Sequence, residues 1–177
     1  MNGGSWSLLE LLRAPAALSV PGDTMAGAAL AGRPAAPGLA VTSVLLYWAG
    51  MALNDWSDRE IDAVERPRRP IPSGRVTPGT ALGVAAGLTA AGLTAAAVTG
   101  GRRGLATAGV LAACVWAYDL KLKRTAAGPA AMAVCRSLDV LLGAGDRPGT
   151  AAPMALAIGA HIRDQRARPR GGAGRHA

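Results

Sequence analysis

Five apolar segments, each close to the length of a membrane-spanning helix, dominate this sequence. A helix of about 20 mostly apolar residues crosses the hydrocarbon core of a bilayer. The segments cover residues 14–32, 36–53, 78–100, 104–118 and 126–145, and short charged connections separate them. We therefore predict an all-α fold, a polytopic transmembrane helix bundle.

The composition of the apolar segments supports this class. Hydrophobic residues make up 50% of the 177 residues, yet aromatic residues make up 3%, with 24 glycines and no Phe. A water-soluble core built from such small side chains would bury little apolar area. Helices in lipid, by contrast, associate through close backbone approach at small residues. The composition favours a membrane protein over a soluble domain.

Both ends of the chain are predicted to lie outside the membrane-spanning part. Residues 1–13 are typical of a short amphipathic helix on the membrane surface. Residues 151–162 begin a sixth apolar run that is too short to cross a bilayer. Residues 163–177 contain five arginines and are either a disordered basic tail or a segment read out of frame. The transmembrane domain is assigned to residues 14–162.

The placement of basic residues predicts the orientation. If the N-terminus is cytoplasmic, nine basic residues fall in the inside segments and three, Arg33, Arg102 and Arg103, fall outside. This matches the positive-inside rule and places the loop 54–77 in the cytoplasm, with the protein in an inner membrane of bacterial type. The net charge of +8 does not indicate nucleic-acid binding, because no basic face carries interleaved aromatic residues.

An acidic cluster follows the second apolar segment. Asn54, Asp55, Asp58 and Asp62 share one face if the helix continues through them. Like charges at this spacing repel one another unless a cation joins them, and Mg²⁺ prefers such oxygen ligands. A solvated acidic helix end is the alternative, although negative charge is disfavoured at a helix C-terminus.

Two basic loops are predicted on the same side of the membrane as the acidic cluster. Arg66 and Arg69 lie among prolines at 67, 70 and 72 that keep the chain extended, and Lys123 and Arg124 follow the fourth segment. Such side chains can bind phosphate oxygens, or they can be ordinary positive-inside charge. With the acidic cluster, they indicate a ligand with a diphosphate head and an apolar tail.

These motifs resemble those of a known family. Asn54-Asp55-x-x-Asp58-x-x-x-Asp62, followed by Arg66-Pro67-x-Arg69-Pro70, is similar to the first aspartate-rich motif of the UbiA superfamily of membrane prenyltransferases. The segment 118–125 resembles the second basic loop of that family, and residues 128–143 look most like its EboC-type branch. The resemblance covers roughly residues 8–162.

The resemblance implies a role for each motif residue. Asn54, Asp55, Asp58 and Asp62 would hold Mg²⁺, and Arg66, Arg69, Lys123 and Arg124 would bind the diphosphate of an isoprenoid donor. Asp55, Asp58 and Tyr118 would be catalytic, with Tyr118 near the cleaved bond. The prenyl group would pass to an aromatic or other apolar acceptor inside the bundle.

The chain departs from the family pattern in its later part. Members have about nine spans and a second aspartate-rich motif, whereas Asp139, Asp146 and Asp164 are scattered here. We therefore expect a truncated or frameshifted member, and three hypotheses stay open. The chain is a prenyltransferase that needs another membrane subunit, a protein that binds a polyprenyl diphosphate or apolar molecule without chemistry, or an inactive fragment.

Polar residues inside the apolar segments give two further expectations. Asp23 in the first segment is either a functional or helix-pairing residue or an ordinary residue near the interface. Arg136 and Asp139 lie three residues apart in the fifth segment, so they are expected to pair with each other.

Overall fold

Proline residues mark the start of most helices in the computed structural model, which describes residues 3–13 and 21–167. Proline is favoured in the first turn of a helix because its missing N–H would have no partner there. It occupies that place in five of the helices, and the described residues contain no strand. The helices are α1 (Gly3–Leu11), α2 (Pro21–Leu30), α3 (Pro37–Ser57), α4 (Arg59–Glu65), α5 (Pro78–Leu120), α6 (Gly128–Ala144) and α7 (Pro148–Ala167), with a 3₁₀ turn at Leu122–Arg124 between α5 and α6.

The helix α5 is two antiparallel arms joined at Gly101. This residue has φ 59° and ψ −152°, a backbone conformation that glycine adopts without steric cost. The indole N–H of Trp116 donates to the hydroxyl of Thr89 at 3.1 Å, which a straight helix would hold about 40 Å apart at 1.5 Å per residue. The arms 78–100 and 102–120 correspond to the predicted third and fourth segments.

The remaining predicted segments also correspond to helices. The second becomes α3 and the fifth becomes α6, while α2 is the described part of the first, whose residues 14–20 lie outside the described residues. The helix α7 runs to Ala167, past the boundary expected at residue 162. The rest of the predicted tail, 168–177, lies outside the described residues.

The helix α5 has the character of a lipid-facing element. Among the described helices it alone combines the length and the apolar composition needed to cross a membrane. The helices α2 and α6 are too short, with 10 and 17 residues, and α3 and α7 are long enough but not apolar enough. The most apolar window of α5 has a mean hydropathy of 1.8, although only 22% of that window is buried. Exposed apolar area of this extent indicates contact with lipid or with another protein.

Close backbone contact holds α2 against α6. A methyl group added at Gly27 would overlap the carbonyl oxygen of Val140, and one added at Gly143 would overlap the carbonyl oxygen of Thr24. Each helix thus provides a glycine at the point where its partner's backbone passes. This is the packing expected between helices rich in small residues.

The connections lie at two opposite ends of the bundle. At one end the side chain of Arg33 pairs with Asp146, and Arg103 donates to the carbonyl oxygen of Asp146 at 3.3 Å. At the other end the acidic cluster after α3 meets the 3₁₀ turn after α5. The antiparallel arms of α5 produce this arrangement.

Candidate functional site

The acidic cluster lies at a bend between two helices. The helix α3 ends at Ser57, Asp58 is the junction residue, and α4 begins at Arg59. The backbone N–H of Asp58 still bonds to Asn54, and that of Asp62 bonds to Asp58, at 3.0 and 2.8 Å. The polypeptide therefore keeps helical hydrogen bonding through the cluster while its axis changes.

Asp55 and Asp62 share one arginine from the first basic loop. Nη1 of Arg69 lies 3.0 Å from Oδ1 of Asp55 and 2.6 Å from Oδ2 of Asp62. Arg66 approaches Asp62 from its other side at 3.6 Å. The side chain of Asp62 is only 2% exposed, so these arginines compensate a charge that would otherwise be buried alone.

Asp58 instead faces the second basic loop. Its Oδ2 lies 2.9 Å from Nζ of Lys123, and its Oδ1 lies 2.5 Å from Nη2 of Arg124. Partial burial raises the pKa of Asp58, but the hydrogen bonds from Lys123 and Arg124 outweigh it and hold that pKa below its usual value. The second basic loop thus meets the acidic cluster at this carboxylate.

Asn54 binds a carboxylate that the sequence analysis did not single out. Its Nδ2 donates to Oδ1 of Asp119 at 3.1 Å, and Lys123 lies 3.9 Å from the same oxygen. Asp119 is 4% exposed. Its position next to Tyr118, directly before the basic loop, is a signal that could have identified it.

Arg13 is the second residue that the sequence analysis missed. It follows α1 with φ 46°, and its Nη2 reaches Oδ1 of Asp55 at 3.3 Å. Glu10, one turn earlier, pairs with Arg75 at 2.5 Å, and this hydrogen bond holds the pKa of Glu10 below its usual value. The segment placed on the membrane surface by its composition therefore also contributes to the site.

An elongated cavity of about 510 Å³ opens beside these residues. One face of α3 lines it with residues at helical spacing: Ser43, Leu46, Tyr47, Gly50, Met51 and Asn54. The second arm of α5 contributes Leu111, Val115, Tyr118 and Asp119, and α6 contributes Met132, Cys135, Arg136 and Asp139. The wall is apolar in its middle and polar at both ends.

The polar end remote from the acidic cluster corrects one expectation. Arg136 does not pair with Asp139; its Nε lies 2.9 Å from Oδ2 of Asp23 on α2. The carboxylate of Asp139 accepts a hydrogen bond of 2.6 Å from Ser43 instead. Both acids thus find partners on neighbouring helices, and the helix-pairing interpretation of Asp23 agrees with its contact.

The expected convergence of three carboxylates on one point also needs correction. In the part of the chain that the structure describes, no three His, Cys, Asp or Glu side chains lie close enough together to hold a metal ion. The reason is that Asp58 is drawn toward Lys123 and Arg124, while Asp55 and Asp62 are drawn toward Arg69. The donor set itself, carboxylate and carboxamide oxygens, still fits Mg²⁺.

Comparison with known proteins assigns this arrangement to a family. The sequence model of the UbiA prenyltransferase family matches residues 22–162. The chain belongs to the UbiA prenyltransferase family. The match includes the acidic cluster, both basic loops and the cavity walls on α3, α5 and α6, and it confirms the family resemblance. Membership also makes the chain an integral membrane protein.

The family relatives that match are synthases. The chain is 42% identical to the digeranylgeranylglyceryl phosphate synthase of Methanopyrus kandleri over 123 residues, which are 66% of this chain and 44% of that protein. It is 38% identical to the bacteriochlorophyll synthase 33 kDa chain of Cereibacter sphaeroides over 103 residues, which are 55% of this chain and 33% of that one. The chain spans less than half the length of these curated relatives. The narrower EboC-type resemblance stays a prediction.

A solved structure from work on digeranylgeranylglyceryl phosphate synthase in membranes has the same fold. The TM-score is 0.83 at 20% sequence identity, and the superposition covers 93% of this chain and 62% of that one. The predicted fold class, a polytopic helix bundle of the UbiA type, is confirmed.

Proposed function

We propose that this chain transfers a prenyl group from an isoprenoid diphosphate to an aromatic or other apolar acceptor, with Mg²⁺ as cofactor. One observation carries the proposal: the acidic helix end and both basic loops meet beside an apolar cavity. A diphosphate head would bind among the charges, and the reacting hydrocarbon would enter the cavity. Family membership supports the same conclusion.

The ion pairs of the site suggest how the donor binds. Arg69, Lys123 and Arg124 are held by carboxylates, at distances of 2.5–3.0 Å. Asn54, Asp55, Asp58 and Asp62 would hold Mg²⁺, and the basic side chains, with Arg66, would turn to the phosphate oxygens. Each carboxylate would exchange its basic side chain for Mg²⁺, and each basic side chain would exchange its carboxylate for a phosphate oxygen. Every charged side chain would thus keep a partner of opposite charge.

The reaction breaks the bond between the first prenyl carbon and the diphosphate oxygen. The electron pair leaves with the diphosphate, whose growing charge the arginines and Lys123 stabilise. Mg²⁺ held by the acidic cluster would supply further charge stabilisation. The nucleophilic atom of the acceptor bonds to the prenyl carbon and releases a proton. Tyr118 would lie beside the cleaved bond, and Oδ2 of Asp119, which lies close to Gly50 in the cavity wall, is placed to accept the proton.

The apolar middle of the cavity protects the reacting carbon. Leu46, Leu111 and Val115 line this part and offer no nucleophile. An allylic cation formed here meets the acceptor before it meets water.

The site would face the cytoplasm of a bacterial-type inner membrane. Both basic loops lie at one end of the bundle, and nine of the twelve basic residues assigned to a side fall at that end or at the N-terminus. The positive-inside rule places this end in the cytoplasm, where the soluble diphosphate product would be released.

The test is diphosphate release by the whole chain in lipid vesicles. With geranylgeranyl diphosphate, Mg²⁺ and a membrane extract as the acceptor source, we expect release that Asp58→Asn lowers about 100-fold, the scale of losing one charge-stabilising group. Glu60→Gln is the matched control, because Glu60 is exposed and pairs only with its neighbour Arg59 in the described contacts. Absence of release from the unaltered chain, or equal release by both variants, would contradict the proposal.

A second candidate function is binding of the diphosphate without turnover. It is favoured by the pairing of each carboxylate of the cluster with a basic side chain. Saturable binding of geranylgeranyl diphosphate without release would identify it. Neither binding nor release would indicate an inactive fragment.

A further inference from the structure

The cavity has a second polar end that the proposed chemistry does not use. Ser43 and Asn54 lie on the same face of α3 and both line the cavity. They are eleven residues apart, so about 16 Å of helix separates them at 1.5 Å per residue. A group bound at Ser43 is therefore far from the diphosphate and from the bond that breaks.

Contacts with neighbouring side chains hold the polar groups at this end in place. Oδ1 of Asp139 accepts from Ser43 at 2.6 Å, and Asp139 is 7% exposed. Nη2 of Arg136 donates to Oδ1 of Asp23 at 3.1 Å, and its Nε lies 2.9 Å from Oδ2 of Asp23 as an ion pair without hydrogen-bond geometry. The hydrogen bonds recorded for the described residues leave Oδ2 of Asp139 as an acceptor and Nη1 of Arg136 as a donor.

The donor substrate makes no use of this site. A prenyl tail is hydrocarbon throughout, so it could not bond to the remaining acceptor of Asp139 or the remaining donor of Arg136, although Ser43 and Asp23 still partner these two side chains. Hydrogen-bonding capacity left unused next to an apolar ligand lowers its affinity. The polar end of the cavity is therefore better matched to a different molecule.

An adjoining acceptor and donor are complementary to a hydroxyl group. A hydroxyl donates one hydrogen bond, which Asp139 can accept, and accepts others, which Arg136 can donate. Neighbouring wall residues such as Leu46 and Leu111 are apolar, so the rest of the bound molecule must be apolar as well.

We propose that Ser43, Arg136 and Asp139 bind a hydroxyl group at the buried end of an elongated apolar acceptor. This inference rests on the proposed function, because it assigns the acceptor's class. The acceptor carries its reacting atom at one end, near Tyr118 and Asp119, and its hydroxyl at the other. Asp139 is a specificity-determining residue, since it is too far from the cleaved bond to take part in the reaction.

The experiment compares two probes of equal length that differ in one hydroxyl. Dodecanol has a hydroxyl at one end, and dodecane has none. Binding of each to the purified whole chain in lipid nanodiscs is measured by the change in tryptophan fluorescence. We expect the chain to bind the alcohol about tenfold more tightly than the alkane, the value of one or two hydrogen bonds in a buried site.

Variants separate recognition from a general structural role. Asp139→Leu should bind both probes equally, whereas Asp139→Asn, which keeps a hydrogen-bonding side chain, should retain most of the preference. Val134→Leu is the matched control from the same helix, because Val134 is exposed and does not line the cavity, and it should behave as the unaltered chain does. Elution as a single species in gel filtration verifies that each variant is folded.

The outcomes distinguish this inference from the proposed function. Equal affinity of the unaltered chain for the two probes, or a full preference for the alcohol in Asp139→Leu, would overturn the inference even where diphosphate is released. A preference that depends on Asp139 in a chain that releases no diphosphate would keep the hydroxyl site and reject the transferase.

Discussion

Nζ of Lys123 lies 2.9 Å from Oδ2 of Asp58, which joins the loop after α5 to the bend after α3. The same ammonium donates to the hydroxyl of Ser57 at 2.7 Å. Arg124 lies 2.5 Å from Oδ1 of the same carboxylate. Lys123 and Arg124 together therefore join the second basic loop to the acidic cluster.

Lys123→Gln is expected to weaken donor binding. Loss of one charge-assisted contact to phosphate should raise the KM for geranylgeranyl diphosphate about tenfold. The measurement is diphosphate release against donor concentration in lipid vesicles. Lys121→Gln is the matched control, since Lys121 is the only other lysine and is exposed. A KM that both substitutions raise equally would show that the effect is general surface charge.

Arg69→Ala is expected to destabilise the folded chain. It removes the nearest cation from Asp55 and Asp62, both buried, which should cost about 3 kcal/mol of unfolding free energy for a pair of this kind. Thermal unfolding in detergent provides the measurement. Arg68→Ala, a change to the exposed neighbour, should leave the midpoint unaltered; a similar fall in both would refute the assignment.

Replacing glycine by alanine should lower the free energy of unfolding at Gly143 on α6, but not at Gly87 on α5. Gly143→Ala would place a methyl group on the carbonyl oxygen of Thr24 and separate α2 from α6, so we expect a loss of about 2 kcal/mol, within the range for overpacking. Gly87→Ala meets no atom within 4 Å and should be neutral or stabilising by up to about 1 kcal/mol. The two unfolding midpoints in the same detergent test this contrast, and equal shifts would contradict it.

The docking of α1 should depend on pH through Glu10. Arg75 holds the pKa of Glu10 below its ordinary value of 4.5, so the pair contributes stability above that value and loses it as the pH falls through the lower, folded-state pKa. Hydrogen exchange of the α1 amides, corrected for intrinsic rates, should therefore accelerate below about pH 4.5. In Glu10→Gln the exchange should be fast at every pH. A variant that shows the same pH step as the unaltered chain would assign the step to another carboxylate.

The proposed orientation predicts which loops a membrane-impermeant maleimide reaches in intact cells. In a background in which Cys114 and Cys135 are serine, Arg102→Cys should be labelled from outside. Ser73→Cys should be labelled only after the membrane is opened. Labelling of Ser73→Cys in intact cells would reverse the orientation.

The sequence made the helices and the meeting of the charged loops predictable. Prolines at 37, 78 and 148 predict helix starts, because proline is favoured in the first turn of a helix whatever the rest of the fold is. Hydropathy separates the two arms of α5 at the Gly-Arg-Arg stretch. An even number of membrane crossings between the two basic loops returns the chain to the same side, so Asp58 and Lys123 could be expected near each other.

The side-chain partners could not be predicted in the same way. Arg136 and Asp139 are neighbours in sequence, yet each bonds to a different helix, because packing brings Asp23 and Ser43 closer than the local spacing suggests. Arg13 reaches Asp55 only because α1 folds back over the end of α3. Such choices depend on helix packing angles, which hydropathy does not encode.

The reversal at Gly101 has a consequence for how the protein enters its membrane. Because the two arms of α5 are joined by a single non-helical residue, they can leave the translocon together as a helical hairpin. The only strongly polar residues of this hairpin that then have to cross the membrane are Arg102 and Arg103, which follow the turn. In the proposed orientation the ends of both arms lie on the cytoplasmic side, where synthesis occurs, so a single insertion event would leave both basic loops in one compartment.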